Sequence, residues 1–376
     1  MTKKKRILTI SLAWYPFESG GESAPRFFID RMKGYDVDVV TYRFKRSMPR
    51  KEQVGKAMVY RVGGINKYDW MFRAFLKAMW LQYRQPYDCV WSIMAAYAGG
   101  VAYWFKRFHP QVPLVITLQE GDPVAHILKR VGIVGPWFRD LFVRADRVHA
   151  ISTYLGGVAR DMGFLGTPII IPNGVDIDAF KKVSSKIAFP KRGSQVVLIN
   201  TSRLVYKNAH DIVIRALAYL PPNVVYKNVA QQGDLHDELV ALAEKIGVAD
   251  RVHLESGLTL AEIPEWLQGG DIFVRPSRSE GLGTSFIEAM AAGLPIIATP
   301  VGGIIDFLHD EETGLFSLVE DPKSVAHCVT RLMNDDQLRE RIKEGARLAA
   351  QKYDWDDLSL RMIHLFDTVG THDTSA

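Results

Sequence analysis

The sequence predicts an α/β protein made of two doubly wound domains, and two observations carry this. Short apolar runs of strand character alternate with helix-forming segments along nearly the whole chain, the pattern of parallel sheets covered by helices. At 376 residues the chain is long for one core, and two domains of about 180 residues each are expected. With 47% apolar and 24% charged residues it has the make-up of a soluble globular protein. No apolar run approaches the roughly eighteen residues of a membrane-spanning helix. Cys89 and Cys328 are the only cysteines and stand far apart, which excludes a disulfide framework and a zinc cluster. The histidines are scattered without metal-ligand spacing, and no metal is assigned.

In chain order, Lys5–Tyr15 reads as a first strand. The basic start before it imitates a signal peptide, but the apolar part is short and lacks a small-residue cleavage site, so a buried strand and a cytoplasmic address are expected. Pro16–Ser23, with Gly20 and Gly21, reads as a flexible turn, and Ala24–Lys33 as a helix. Val37–Tyr42 alternates like a strand. Asp36-Val37-Asp38 at its start has a D-x-D pattern but no glycine turn to present a metal. Trp70–Arg84 is an amphipathic helix, aromatic and basic, with apolar residues at 71, 72, 75, 76, 79 and 80 expected to pack in the core. A membrane-surface helix is the other reading of that stripe. Tyr87–Ser92 and Leu114–Leu118 are further strands. The second ends at Gln119-Glu120-Gly121-Asp122, on the side where such sheets bind ligands. His126 follows four residues later. Pro172-Asn173-Gly174 is a turn after an apolar run, and 180–194 reads as a linker.

Gln195–Asn200 opens the second domain. Ser202–Asn208 follows, and its Arg203 and Lys207 at a strand end suit neutralisation of a diphosphate. Val224–Gln232, Val252–Leu254 and Ile272–Pro276 read as strands, with helices at Leu235–Ile246 and Leu260–Leu267. In the stretch Asp271–Pro300, a strand leads into a Ser- and Gly-rich turn, a helix at Phe286–Ala292, stop signals at Gly293 and Pro295, and another strand. The backbone N–H groups of Gly283, Thr284 and Ser285 would point at an anion, and the helix dipole favours negative charge there. Glu280 and Glu288 flank this point and would accept hydrogen bonds from sugar or ribose hydroxyls. Ser285-x-x-Glu288 is also a formal capping box, which alone would account for the second glutamate.

SEGLGTSFIEAMAAGLPIIAT resembles the E-x7-E segment of retaining GT-B glycosyltransferases of family 4. SRLVYKN is similar to that family's G-R-L-x-x-x-K-G signature, with Ser202 and Asn208 at the glycine positions, and IPNGVD to its hinge-side motif. The resemblance implies two Rossmann-like domains facing across a cleft: an acceptor-side domain at 1–180, a nucleotide-sugar domain at 195–352, and a last helix at 353–372 crossing back to the first domain. It implies transfer of a sugar from a nucleotide sugar, itself a substrate, to an acceptor hydroxyl with retention and without metal or cofactor. Arg203, Lys207 and Glu280 take the catalytic roles, with Glu280 contacting the donor sugar. Gly20, Gly21, Gly283, Thr284, Ser285 and Glu288 take the donor, Glu288 by its ribose hydroxyls. Glu120, Asp122 and His126 lie on the acceptor or sugar side; Gln119 stands where the family often carries histidine.

Residues 1–180 hold 26 Lys and Arg against 15 Asp and Glu, whereas residues 181–376 hold 21 against 27. Six of the eight tryptophans also fall in the first half. A basic, aromatic half suits a glycan or lipid-linked acceptor on an anionic membrane surface. Nucleic acid is not expected, since no recognised nucleic-acid motif accompanies the charge. Two other functions share these features. A nucleotide-dependent oxidoreductase would need a G-x-G-x-x-G after a strand, which is absent. A catalytically silent glycosyltransferase-like partner or scaffold subunit would be recognised by its failure to hydrolyse donor.

Overall fold

The computed structural model describes residues 4–16, 20–121, 135–181, 194–230 and 233–370. The chain divides into two compact units, residues 1–174 with 355–376, and residues 175–354.

The first unit is an eight-stranded sheet. Its strands are β1 (Lys5–Ile10), β2 (Tyr35–Tyr42), β3 (Lys51–Val54), β4 (Ala57–Val62), β5 (Cys89–Ile93), β6 (Leu114–Leu118), β7 (Arg147–Ala150) and β8 (Ile169–Ile170). They lie in the order β3-β4-β2-β1-β5-β6-β7-β8. All pairs are parallel except the β3–β4 hairpin. Every residue of β5 and β6 is buried, as strands covered on both faces by helices must be. The chain leaves β1 towards β2 and returns to β5 on its other side, so its direction of winding reverses between β1 and β5.

The helix expected to start at Ala24 begins earlier, at Gly20. Gly20 and Gly21 therefore form its first turn, and not the flexible turn that their composition suggested. Asp36 and Asp38 are spent on ion pairs with Lys4 and Arg6.

The helix Lys67–Arg84 departs more sharply from expectation. Asn66 caps its start, accepting from the amides of Tyr68 and Asp69 at 3.0 Å. Its buried face is Trp70, Ala74, Ala78 and Leu81, while Phe72, Leu76 and Trp80 of the expected core stripe are exposed. The reason is packing distance. Two alanines let the helix lie close against its neighbours, and the more hydrophobic stripe is left outside.

The helix Trp355–Thr368 belongs to this first unit although it follows the second in sequence. Trp355 stacks on Phe27 at 5.0 Å and meets Phe28 edge-on at 5.1 Å; Phe366 meets Trp91 at 5.1 Å. A Cβ on Gly174 would lie 2.5 Å from the Trp355 ring, so only glycine permits that approach.

The second unit is a six-stranded, all-parallel sheet of β9 (Val196–Asn200), β10 (Val224–Ala230), β11 (Val252–Ser256), β12 (Ile272–Arg275), β13 (Ile296–Ala298) and β14 (Leu315–Phe316). Their order is β11-β10-β9-β12-β13-β14, so the winding reverses between β9 and β12. In open parallel sheets the loops leaving such a pair diverge, and the crevice between them takes ligands.

Trp355→Ala is expected to lower the stability of the first unit by about 3–5 kcal/mol, the usual cost of emptying a buried tryptophan site. Denaturant unfolding measures it, and an unchanged midpoint would remove this helix from the unit's core.

Candidate functional site

The loops leaving β9 and β12 are Ser202–Asn208 and Pro276–Gly283, and the second runs into the helix Thr284–Ala291. Gly283 has φ +87°, and a Cβ there would meet the Phe286 ring at 2.5 Å, so glycine is required at this corner. It sits at the N-cap position with no side-chain cap. The first helical amides, at Thr284 and Ser285, therefore remain open to an anion.

Arg275, the last residue of β12, organises the site, and the reading of Ile272–Pro276 as an apolar strand missed it. Its guanidinium is buried and donates to Ser285 Oγ at 2.8 Å, to Asn208 Oδ1 at 2.9 Å and to the Glu280 carboxylate. One charge thus ties together the β9 loop, the β12 loop and the helix start. Both members of the Arg275–Glu280 pair are less than a tenth exposed. The other Glu280 oxygen accepts the Gly281 amide at 3.0 Å. Close by, Gly302 has φ +56°, and a Cβ there would overlap the Glu280 carbonyl oxygen at 1.8 Å.

The β9 loop is held from below. The Arg203 carbonyl accepts Asn208 Nδ2 at 2.7 Å and His210 Nε2 at 2.9 Å. A carbonyl only accepts, so Nε2 carries the proton and Nδ1 accepts the Tyr226 hydroxyl at 2.7 Å. Burial pushes His210 down to about 4, which keeps this tautomer neutral. The Arg203 side chain itself is exposed and has no partner among the described residues. Lys207 is half-buried, and its carbonyl accepts the Arg278 amide at 2.7 Å. Arg278 pairs with Asp211 and Glu320 and lies 4.0 Å from the Tyr206 ring centroid. Ser202 and Asn208, at the glycine positions of the signature, take inward bonds, and the left-handed residue is Ala209, with φ 56°.

Glu288 is half-buried, and its carboxylate makes no hydrogen bond or ion pair within the described residues. Desolvation raises its carboxyl to about 7. The Ser285–Glu288 capping box is not formed. The N-cap is Gly283, Ser285 Oγ accepts from Arg275, and Glu288 lies five residues into the helix. The fold therefore keeps an unpartnered carboxylate beside an open helix start at the cost of desolvating it.

In the first unit, Glu120 turns inward. Its carboxylate accepts the amides of Ala95 at 2.9 Å and Gln119 at 3.0 Å, which braces the ends of β5 and β6. Gln119 is buried and accepts from Asn173 at 3.2 Å. Asp122 and His126 lie outside the described residues.

Residues 31–179 match the family model described as Glycosyltransferase Family 4, and residues 183–349 match that for glycosyl transferases group 1. The chain belongs to this family. One relative is the D-inositol 3-phosphate glycosyltransferase of Xylanimonas cellulosilytica, 29% identical over 71% of this chain and 69% of that protein. Among solved structures, HepE of Anabaena in complex with UDP and glucose superposes with a TM-score of 0.78 at 19% identity, covering 97% of this chain and all of that one. WaaG, a glycosyltransferase involved in lipopolysaccharide biosynthesis, gives 0.73 at 18% identity over 96% of this chain and 99% of its own. The two parallel-sheet units are those of the GT-B architecture.

Two outcomes test the geometry of this glycosyltransferase. Arg275→Met should destabilise the second unit by about 3–5 kcal/mol, because Glu280 would be left charged and buried without its partner; a thermal melt reads this, and an unshifted transition would contradict the clamp. For Glu288→Gln the sign is opposite. A carboxyl raised in the fold costs stability once pH exceeds its unfolded value near 4.5, and the cost is complete above about 7. The variant should exceed the parent by up to about 3 kcal/mol at pH 8 and match it below pH 4.5. A pH series of denaturant midpoints decides it.

Proposed function

We propose that this glycosyltransferase transfers a sugar from a nucleotide-sugar donor to an acceptor hydroxyl with retention of anomeric configuration, in the assembly of a polysaccharide, lipopolysaccharide or glycolipid. The observation that carries the reading is the pairing of an open helix start with an unpartnered Arg203, on the loops that leave the neighbouring strands β9 and β12. These are complements to a diphosphate. Arg203, Lys207 and the amides of Gly283, Thr284 and Ser285 would stabilise the charge that develops on the leaving diphosphate. Glu288, ionised, would accept the ribose hydroxyls, and Glu280, held by Arg275, would accept hydroxyls of the donor sugar. Glu280 is paired with Arg275 and Glu120 accepts two backbone amides, so neither is assigned as a proton-abstracting base. The leaving diphosphate oxygen would then take the acceptor proton, on the face where the new bond forms. The charge stabilisation comes from side chains and amides, so the reading uses no metal and no cofactor.

Gly20 and Gly21, in the first turn of their helix, remain a donor-side contact of the first unit in this reading, and Glu120 a brace of the acceptor side. Asp122 and His126 stay assigned to the acceptor side by resemblance. The enzyme would work at the cytoplasmic face.

Replacing both Arg203 and Lys207 by Met should lower kcat by a factor on the order of a hundred or more, the usual loss when transition-state charge is left unstabilised. Slow hydrolysis of UDP-, GDP- and ADP-sugars, scored by released nucleotide, identifies the donor and separates an enzyme from a silent subunit. NMR of the product anomer tests retention; an inverted product would rule out the mechanism. Donor affinity should tighten as pH rises through about 7, since only the ionised Glu288 accepts from both ribose hydroxyls. Titration calorimetry at pH 6 and 8 measures this, and Glu288→Gln should abolish the difference.

A further inference from the structure

In the second unit, three donors converge on the carbonyl of Arg203: the Val205 amide at 2.8 Å, Asn208 Nδ2 at 2.7 Å and His210 Nε2 at 2.9 Å. A carbonyl oxygen has two lone pairs, so this one is supplied beyond its need. The side chain of the same residue is exposed and has no partner among the described residues. Backbone and side chain are thus treated oppositely, the one pinned and the other left open. His210 reaches the carbonyl seven residues back because Ala209, at the corner before it, has φ 56°. An alanine takes that left-handed conformation at a cost, and it persists only where its surroundings over-determine it.

The imidazole is itself fixed. His210, Tyr226 and Asn200 are all buried. Nδ1 accepts the Tyr226 hydroxyl at 2.7 Å, and that hydroxyl oxygen accepts Asn200 Nδ2 at 3.4 Å. Asn200 Nδ2 also donates to the Val274 carbonyl at 3.1 Å. Three neighbouring strands each contribute a group: Asn200 ends β9, Tyr226 lies in β10, and Val274 precedes Arg275 in β12. A second route runs from Arg275 to Asn208 Oδ1 at 2.9 Å and from Asn208 Nδ2 to the same carbonyl. Of the two routes, only the imidazole belongs to no part of the loop. It opens the helix His210–Ala216 and so refers Arg203 to the body of the sheet, and contacts set by such elements are more precise than those set by loops.

The geometry points to His210 as a positioning residue for the donor: its Nε2–H fixes the Arg203 backbone so that the guanidinium is held ready for the diphosphate. The inference rests on the role proposed for Arg203. His210 itself is enclosed beneath the loop and acts through its neighbour. A cation whose backbone is set before the ligand arrives has less freedom to lose on binding, and a long arginine side chain has much to lose. A displacement of about 1 Å at such a contact can cost on the order of a hundredfold in rate.

The test compares His210→Gln with His210→Asn in the full chain. Glutamine places an amide N–H where Nε2 stands and keeps the donor to Arg203, whereas asparagine reaches only the place of Nδ1 and loses it. Both are neutral amides, so a difference between them reports reach and not polarity. Titration calorimetry with UDP, GDP and ADP finds the diphosphate that binds. His210→Gln should bind it within about threefold of wild type and His210→Asn about tenfold more weakly, the factor of one charge-assisted hydrogen bond. With Arg203→Met already in place the two should bind alike, since no guanidinium is left to position. Equal affinities of the Gln and Asn variants with Arg203 present, or a difference that survives Arg203→Met, overturn the positioning role; a histidine that only supports the fold moves the melting temperature and not this coupling. A long-range 1H–15N spectrum of histidine-labelled protein, with the His210 signal identified by its loss in His210→Gln, should show the ring protonated at Nε2 alone, and protonation at Nδ1 overturns the role even if His210→Asn does not fold. If Arg203→Met binds as wild type does, or none of the three nucleotides binds wild type, the proposed diphosphate site itself fails and the inference falls with it.

Discussion

A buried guanidinium holds the second unit's site in shape. Arg275 ends a central strand, where the β9 loop, the β12 loop and a helix start converge, and it supplies each with a hydrogen bond. Placing a charge there is unfavourable unless every neighbour contributes. The neighbours do so with a carboxylate, an amide oxygen and a hydroxyl, and the Phe286 ring lies 5.0 Å away. The consequence is division of labour between the two glutamates. Glu280 is fixed and neutralised before any ligand arrives, whereas Glu288 is left uncompensated. A site with one anchored and one unpaired carboxylate is organised in its ground state and still has an unmet demand for hydrogen-bond donors.

The sequence revealed the architecture through its strands. Runs such as Leu114–Leu118 and Val196–Asn200 are apolar but for Thr117 and Asn200, which is what burial on both faces of a parallel sheet demands, and their boundaries fell within one or two residues. The β3–β4 hairpin escaped notice because Lys51–Val54 is polar and short, with only Gly55 to mark its turn. Arg275 escaped because one charged residue at the end of an apolar run reads as a strand end, and only three-dimensional proximity shows what it bridges. Glu288 was found by pattern, but the pattern could not separate a cap from an open carboxylate. That distinction lies in which residue adopts the left-handed conformation, here Gly283.

The helix Lys67–Arg84 carries a different lesson. Hydrophobicity alone favoured the stripe with Phe72, Leu76 and Trp80, because aromatic side chains outweigh alanines on any scale. Packing chose Trp70, Ala74, Ala78 and Leu81, since closeness to a neighbouring helix depends on small side chains. Where the two criteria disagree, the richer stripe faces outward, and such a disagreement in a sequence points to a surface with something to bind.

The place of Trp355–Thr368 bears on how the molecule is made. Residues 175–354 form a continuous unit that has all of its own strands once synthesis passes Asp354. The first unit starts earlier, yet its core around Phe28 and Trp91 stays incomplete until the helix Trp355–Thr368 leaves the ribosome. The half translated first is therefore finished last. During elongation its unfilled apolar surface must be shielded by nascent-chain chaperones or by a loosely collapsed intermediate. A chain halted between Asp354 and the helix Trp355–Thr368 would carry a sound second unit and an unsealed first one.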